Sequence, residues 1–194
     1  MNYDTLMASL PDFAEKASQL ADRLGLLRAG LVADHIALRI TERADAEALK
    51  TAFLERGTLL SDKAINGRPI LLIQLHTPIQ VGPWAIELVE LPFPDGKKRR
   101  DGWEHVELVL PCDATDKHQM LEAVKGIPAM IAKWPVLKDG TLGIEIKTSC
   151  PKGDDEPLSN PTVAFRHEGI TVKVHPHDMR DILGLRPPQA DATA

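Results

Sequence analysis

The stretch WEHVELVL, residues 103–110, decides the fold because it alternates polar with aliphatic residues at a period of two. This alternation predicts a β-strand with one face on an apolar layer and the other facing a polar environment. Val106, Leu108 and Leu110 take the apolar face, so we expect His105 and Glu107 to share the opposite one.

A second stretch, DHIALRI at residues 34–40, repeats this arrangement upstream. An acid again precedes a histidine, and Ile36, Leu38 and Ile40 take the apolar face. His35 and Arg39 then point the other way. The chain is therefore interpreted as two related units, each opening on a strand with an acid and a histidine, and we expect a site between them.

Composition narrows the classes of function. With 194 residues and 43% hydrophobic residues, the chain is long enough for one large domain or two closely packed halves. A net charge of −5 argues against nucleic-acid binding, for which a clustered basic face is typical. The sequence contains no apolar run of about 18 residues and no signal-peptide pattern, so we expect a cytoplasmic protein without membrane contact.

Neither the cysteines nor the common catalytic motifs indicate a function for the chain. The two cysteines, Cys112 and Cys150, offer neither a disulfide framework nor a metal-ligand spacing, so structural roles are expected in a reducing compartment. The sequence lacks a Walker phosphate loop, a dinucleotide-binding fingerprint, a GxSxG elbow and an HExxH helix.

Periodicity and turn residues predict an α+β fold in which two βαβββ units, residues 31–92 and 102–176, form one curved, mainly antiparallel mixed sheet. Residues 1–30 are predicted to be a helical extension packed outside the sheet, and residues 31–186 the main domain. Residues 187–194 are predicted to be a disordered tail. The basic run 97–100 is expected to be a solvated loop rather than a binding patch. The predicted strands are 32–40, 58–62, 69–76, 84–91, 103–110, 142–148, 162–166 and 170–175, and the predicted helices are 44–56 and 115–125.

The two strand histidines indicate a metal site, because neutral imidazole with carboxylate binds divalent transition metals. The alternative is that each is an ordinary core or surface residue. A third ligand is available from Glu87 or Glu90 in one predicted strand. Strict alternation places Glu87 on the inner face with Glu90 outward, and a bulge before Pro92 would bring Glu90 inward instead.

Further polar residues lie opposite an aliphatic row in their own strands. His175 in the last strand is predicted to be a fourth ligand or a substrate contact. Arg39 and Glu107 either form an internal ion pair, or Arg39 joins two lysines in a positive interior that holds a carboxylate or enolate oxygen. The candidates for lining the cleft are Arg39, Gln74, Glu107, Lys147, Lys173 and His175.

Short motifs, in order, resemble those of the YecM family over residues 30–176. The resemblance implies the vicinal oxygen chelate superfamily, with the fold of glyoxalases and bleomycin-resistance proteins and a divalent-metal site in a cupped sheet. The motifs are DHIALR at 34–39, INGRPI at 65–70, VELP at 89–92, GWEHVE at 102–107, KTS at 147–149, PKG at 151–153, NPT at 160–162 and KVHP at 173–176.

Carried over residue by residue, the resemblance implies metal ligands at His35 and His105. It places the last-strand carboxylate of the first unit at Glu90 or Glu87; the VELP motif favours Glu90, whereas strand parity favours Glu87. The second unit departs from the superfamily pattern, because its last strand offers His175 where a glutamate is usual.

Two functions from different classes follow. The first is a metal-dependent isomerase, lyase or dioxygenase, in which Zn, Ni, Mn or Fe binds a small oxygen-rich substrate such as a carboxylate and Glu107 moves a proton. The alternative is a metal-free binding protein of the bleomycin-resistance type that sequesters a ligand in the same cup. In either case we expect a monomer or a homodimer.

Overall fold

The computed structural model of the chain describes residues 1–65, 67–151 and 157–185. The helices are α1 (Tyr3–Ala8), α2 (Leu10–Leu24), α3 (Arg43–Leu54), α4 (Lys117–Lys125), α5 (Pro128–Ile131), α6 (Trp134–Lys138) and α7 (Met179–Ile182). The strands are β1 (Val32–Arg39), β2 (Gly57–Ser61), β3 (Ala64–Ile65), β4 (Arg68–Val81), β5 (Trp84–Pro92), β6 (Gly102–Val109), β7 (Glu145–Ser149), β8 (Thr162–His167) and β9 (Ile170–His175).

The strands form one curved sheet in the order β2-β4-β5-β1-β6-β9-β8-β7, with β3 pairing to β4. From edge to centre, the first unit runs β2-β4-β5-β1 and the second runs β7-β8-β9-β6, so the two units have the same internal order. Each first strand pairs in parallel with the last strand of its own unit, and β1 pairs antiparallel with β6. The predicted α+β fold of two βαβββ units is confirmed, with the two histidine strands side by side.

Helices α2, α3 and α4 pack on one face of the sheet, here called the helix face; the opposite one is the open face. Helix α2 contacts β4, β6 and β9, α3 contacts β2, β4 and β5, and α4 contacts β7 and β8. The apolar stripe of α2 is buried as predicted, and the helix ends at Gly25, whose positive φ of 81° suits glycine. Val106 and Leu108 enter the same apolar core. The polar side chains of β1 and β6 are therefore left for the open face.

Several boundaries differ from the sequence prediction. Strand β4 continues to Val81 because it pairs with the whole of β5, and Ala64 and Ile65 form a short strand that was not predicted. Strand β7 begins at Glu145, three residues later than predicted, and α7 was not predicted. The predicted tail 187–194 and most of the PKG motif lie outside the described residues.

The connector between the two units is largely exposed, and neither cysteine forms a disulfide. In the connector between the units, Arg99 forms an ion pair with Asp95 at 2.8 Å, while Lys97, Lys98 and Arg100 are exposed. Cys112 is half-buried and Cys150 exposed, both as free thiols. Among the described residues, no helix is long and apolar enough to cross a bilayer.

A close approach between β2 and β4 gives a test of the sheet. A Cβ atom at Gly57 would lie 2.5 Å from the Gln74 carbonyl oxygen, whereas one at Gly126 would meet nothing nearer than 3.3 Å. We expect Gly57→Ala to lower the free energy of unfolding by about 1–3 kcal/mol, because the backbone of β4 has to move. Chemical denaturation of both alanine variants measures this. Equal stabilities of Gly57→Ala and Gly126→Ala would contradict the pairing.

Candidate metal centre

A β-bulge in β1 turns an acid and the adjacent histidine toward the same face. Ala33 pairs with Leu108 and His35 pairs with Glu107, so Asp34 is an extra residue without a partner in β6. The bulge breaks strict alternation, and Asp34 joins His35 on the open side of the sheet. Asp34 Oδ1 lies 2.9 Å from His35 Nδ1, and both side chains are buried. The carboxylate thus accepts the Nδ1 proton and leaves Nε2 to face the centre of the sheet.

The second unit has a matching bulge in β6. His105 pairs with Ala37 and Trp103 pairs with Leu38, so Glu104 is the extra residue. The Glu104 carboxylate contacts His105 Nδ1. Both histidines are therefore oriented in the same way, each by the acid that precedes it. Metal-binding histidines are commonly oriented by such a carboxylate on the second ring nitrogen.

The free nitrogens of both histidines lie near the Glu107 carboxylate, and that of His35 also lies near Glu90. The ring centroids of His35 and His105 are 6.0 Å apart. Glu107 Oε1 lies 3.7 Å from His35 Nε2 and 3.2 Å from His105 Nε2. Glu90 Oε2 lies 3.7 Å from His35 Nε2. Ligand atoms from His35, His105 and Glu107 all lie within 4.8 Å of one another, which is close enough to surround one ion.

Strand register explains why residues from many strands meet here. Residues paired across neighbouring strands point to the same face, so each transverse row of partners forms a line on the open face. The first row is Gln74, Leu88, His35, Glu107, Lys173, Ala164 and Lys147. The second row is Leu72, Glu90, Ala37, His105, Thr171, Arg166 and Glu145.

Two buried polar atoms in the cluster have no hydrogen-bond partner among the described residues: His35 Nε2 and Glu107 Oε2. Leaving such an atom unpaired costs about 1–3 kcal/mol, so groups of this kind are usually satisfied by a bound species. Imidazole nitrogens beside carboxylate oxygens suit a divalent transition metal. The residues present therefore fit a metal ion, with Asp34 and Glu104 contacting the Nδ1 atoms of the two histidines.

The cluster also favours positive charge. Burial alone would lower the pKa of His35, but the carboxylates of Asp34, Glu107 and Glu90 outweigh it and raise that pKa to about 9. Burial would raise the pKa of Glu107, but Lys173 and His35 hold it well below its ordinary value. Glu107 is therefore ionised at neutral pH, and a proton on His35 competes with any metal for the same nitrogen.

The two candidate glutamates of β5 have different surroundings. Glu90 pairs with Ala37 and faces the cluster. Glu87 is half exposed and forms an ion pair with Arg180 at 2.7 Å. Alternation assigned Val89 to the inner face and Glu90 to the helix face, and the structure reverses both: Val89 is fully buried in the helix-face core, and Glu90 faces the cluster. The register of β4 with β5 shifts beside this segment and breaks the alternation.

The counterpart of Glu90 in the second unit is Lys173, not His175. Glu90 pairs with the residue two positions after His35, and Lys173 pairs with Glu107, the residue two positions after His105. Lys173 Nζ donates to Glu107 Oε1 at 2.6 Å and lies 3.0 Å from His105 Nε2. An ammonium thus stands where the superfamily pattern implied a carboxylate.

His175 lies on the open face beside the cluster, since it follows Lys173 by two residues in β9 and its ring centroid is 5.8 Å from that of His35. Its side chain is fully buried, with Nε2 3.2 Å from Asp34 Oδ1 and Nδ1 3.2 Å from Asn160 Oδ1. His175 Nδ1 also lies 3.5 Å from Glu107 Oε2, and ligand atoms of Asp34, His35 and His175 lie within 4.8 Å of one another, so its role as a fourth ligand stays a prediction. Its contact with Asp34 also helps to hold the carboxylate that orients His35.

A cavity of about 350 Å³, here called the inner cavity, opens over the cluster. Its walls include Glu90, His105, Glu107, Lys147 and Lys173, as predicted, whereas Gln74 lies at the far end of its row and is not part of them. Arg39 also lines the cavity, but its partner is Glu104 at 2.5 Å rather than Glu107.

Some residues of the site were missed in the sequence. Asp34 and Glu104 were visible as the acids before each histidine, but strict alternation sends them to the opposite face. Arg68, Asn160 and Arg166 also line the inner cavity, and the sequence shows no signal that distinguishes them from other polar residues.

The profile of the YecM protein family matches residues 2–185. The chain belongs to the YecM family. Protein YecM of Escherichia coli K12 is 42% identical over 183 residues, covering 92% of this chain and 90% of that protein. A Haemophilus influenzae protein described as uncharacterised is 32% identical over 188 residues, covering 94% of each.

A solved structure also resembles the chain over nearly its whole length. The structural-genomics protein EC4020 matches with a TM-score of 0.73 and 37% identity, covering 95% of this chain and 92% of that one. The two-unit sheet is therefore a property shared with an experimentally solved protein.

The charge on His35 gives a pH prediction for protein treated with a chelator. The pKa of His35 is raised from 6.5 to about 9 in the folded state, so its protonation stabilises that state. This contribution is complete below about pH 6.5 and disappears as pH rises through 9. We expect the free energy of unfolding of the wild type to fall relative to that of His35→Gln over this range. Denaturant titrations at several pH values measure it, and parallel curves for the two proteins would contradict it.

Proposed function

We propose that the chain is a divalent-metal-dependent enzyme that acts on a small, oxygen-rich carboxylate. The observation that carries the proposal is the convergence of His35 Nε2 and His105 Nε2 on Glu107, with Glu90 beside His35 and each second ring nitrogen oriented by the preceding acid. Isomerases, lyases and dioxygenases all use such a centre, so the proposal covers these three classes of reaction.

Charge compensation separates the roles of the two carboxylates. Glu107 is already neutralised by Lys173 through a hydrogen bond of 2.6 Å. Glu90 makes its only ion pair among the described residues with His35, at 3.7 Å. We therefore assign His35, His105 and Glu90 to the metal, and Glu107 to proton transfer beside it.

The bound ion would supply Lewis-acid polarisation of a substrate oxygen. Glu107, which is ionised and lines the inner cavity, would accept a proton from the substrate carbon or hydroxyl group. Lys173 would remain hydrogen-bonded to Glu107, and once Glu107 is protonated the ammonium charge would offset the negative charge left on the substrate. Asp34 and Glu104, each in contact with the Nδ1 atom of the adjacent histidine, would keep both imidazoles fixed during this transfer.

The walls of the inner cavity favour an anionic substrate. Three carboxylates line it, against five cationic side chains. Neither Arg68 nor Lys147 has a carboxylate within 4.0 Å in the part of the chain that the structure describes, so both are available to a substrate oxygen. The cations are Arg39, Arg68, Lys147, Arg166 and Lys173, and the acids are Glu90, Glu104 and Glu107.

Metal content tests the ligand assignment. We expect His35→Ala, His105→Ala and Glu90→Ala each to remove most of the bound metal, because each loses a ligand to the ion. Glu87→Ala is the matched control from the same strand and should retain it. Elemental analysis per chain, with a thermal melt to confirm folding, measures this outcome. Full metal occupancy in folded His105→Ala protein would overturn the proposed centre.

One observation favours a second candidate function, a metal-free protein that binds and sequesters an anionic ligand. The Lys173 ammonium contacts both Glu107 and His105, so an internal cation already occupies part of the space between them. In this alternative, Lys173 would take the place of the ion and hold a ligand carboxylate directly.

The variant Lys173→Met distinguishes the two functions. If the site binds metal, removing the competing ammonium should tighten the binding of Mn²⁺ or Zn²⁺. Lys147→Met removes a lysine from the same row, away from the histidines, and should leave metal affinity unchanged. Calorimetric titration with each ion measures the change. Failure of wild type and Lys173→Met alike to bind either ion would favour the metal-free alternative.

A further inference from the structure

A second cavity, of about 330 Å³, lies beside the inner one and has no role in the proposed metal centre. This outer cavity is bounded by α1 and α2 on one side. On the other side are the end of β1, the start of β6 and the turn between β8 and β9. It is as large as the inner cavity, and each is of the size that proteins use for small molecules.

Three side chains line both cavities: Arg39, Glu104 and Arg166. Arg39 is held to Glu104 at 2.5 Å, whereas Arg166 reaches Glu104 only at 4.0 Å and is 45% exposed. The partition between the cavities is thus built from long side chains. Because arginine side chains have several rotatable bonds, a ligand can extend past them while keeping a contact with a guanidinium group.

The floor of the outer cavity is apolar. Phe13, Trp103 and Ile170 form it and are almost completely buried. The indole nitrogen of Trp103 already donates to the Leu6 carbonyl oxygen at 3.0 Å, so it is not available to a polar ligand. Charged side chains, among them Asp12, Arg100 and Asp101, line the rest of the outer cavity, whereas the inner cavity carries the charged row of the metal centre. The apolar floor of the outer cavity and the charged row of the inner one therefore suit the two ends of one amphipathic molecule.

We propose that the substrate is an acid with a bulky apolar group, branched aliphatic or aromatic. Its carboxylate and adjacent oxygen lie in the inner cavity, and its apolar group passes Arg39 into the outer cavity. This inference rests on the proposed function, since it places the reacting end of the molecule at the metal centre. The inference specifies the class of substrate beyond the proposed function. An acid of two or three carbons would not reach the outer cavity, whereas an acid with a bulky apolar group would contact its apolar floor.

The test compares two probes on protein loaded with Mn²⁺: pyruvate, which has only the acid end, and phenylpyruvate, which adds an aromatic group. Burying the ring against the apolar floor should make phenylpyruvate bind at least about tenfold more tightly to the wild type. Thr5→Trp fills the outer cavity from α1 and should abolish this advantage while leaving pyruvate binding unchanged. Ala8→Trp is the matched control, since Ala8 is exposed on the same helix and is not part of the cavity wall.

Each calorimetric outcome decides the question. If the wild type binds both acids equally, or if Thr5→Trp keeps the preference for phenylpyruvate, the outer cavity is not a substrate site, although the metal centre still stands. If metal-loaded protein binds neither acid, the proposed function fails and this inference fails with it. Should a melt show that Thr5→Trp is unfolded, Asp12→Phe fills the same cavity from α2 and is read by the same criteria.

Discussion

The antiparallel pairing of β1 with β6, with one bulge in each strand, is the constraint on which the site depends. Each bulge lies immediately before a histidine, so the acid that precedes it turns to the same face and holds its ring. The parallel neighbours β5 and β9 then deliver Glu90 and Lys173 at equivalent positions. The duplicated unit thus places a nearly symmetric set of groups across the centre of the sheet.

Burying so many ionisable groups is unfavourable unless they pair with one another. Asp34 shows how this is achieved: it accepts hydrogen bonds from both His35 and His175, and its second oxygen accepts from the backbone nitrogen of Met179 at 2.8 Å. Helix α7 is thereby attached to the acid that orients a proposed ligand. The C-terminal part of the fold and the geometry of the cluster are stabilised by the same carboxylate.

Alternation in the sequence predicted the strands and the face of His35 and His105, because both properties follow from local periodicity. It failed for Glu90, because the register of β5 shifts against β4 between Ile86 and Leu88, and such a shift is set by the pairing of strands rather than by local periodicity. It also missed the inward turn of Asp34 and Glu104, since a bulge is defined by what the partner strand does. Helix α7, with four residues, is too short to show a helical period.

The exchange of a carboxylate for an ammonium between the two units has a geometric consequence. Glu90 and Lys173 occupy corresponding places on either side of the approximate twofold axis, so one end of the cleft carries a carboxylate and the other an ammonium paired with Glu107. The two units match in topology, and this one difference makes the two ends of the cleft chemically distinct.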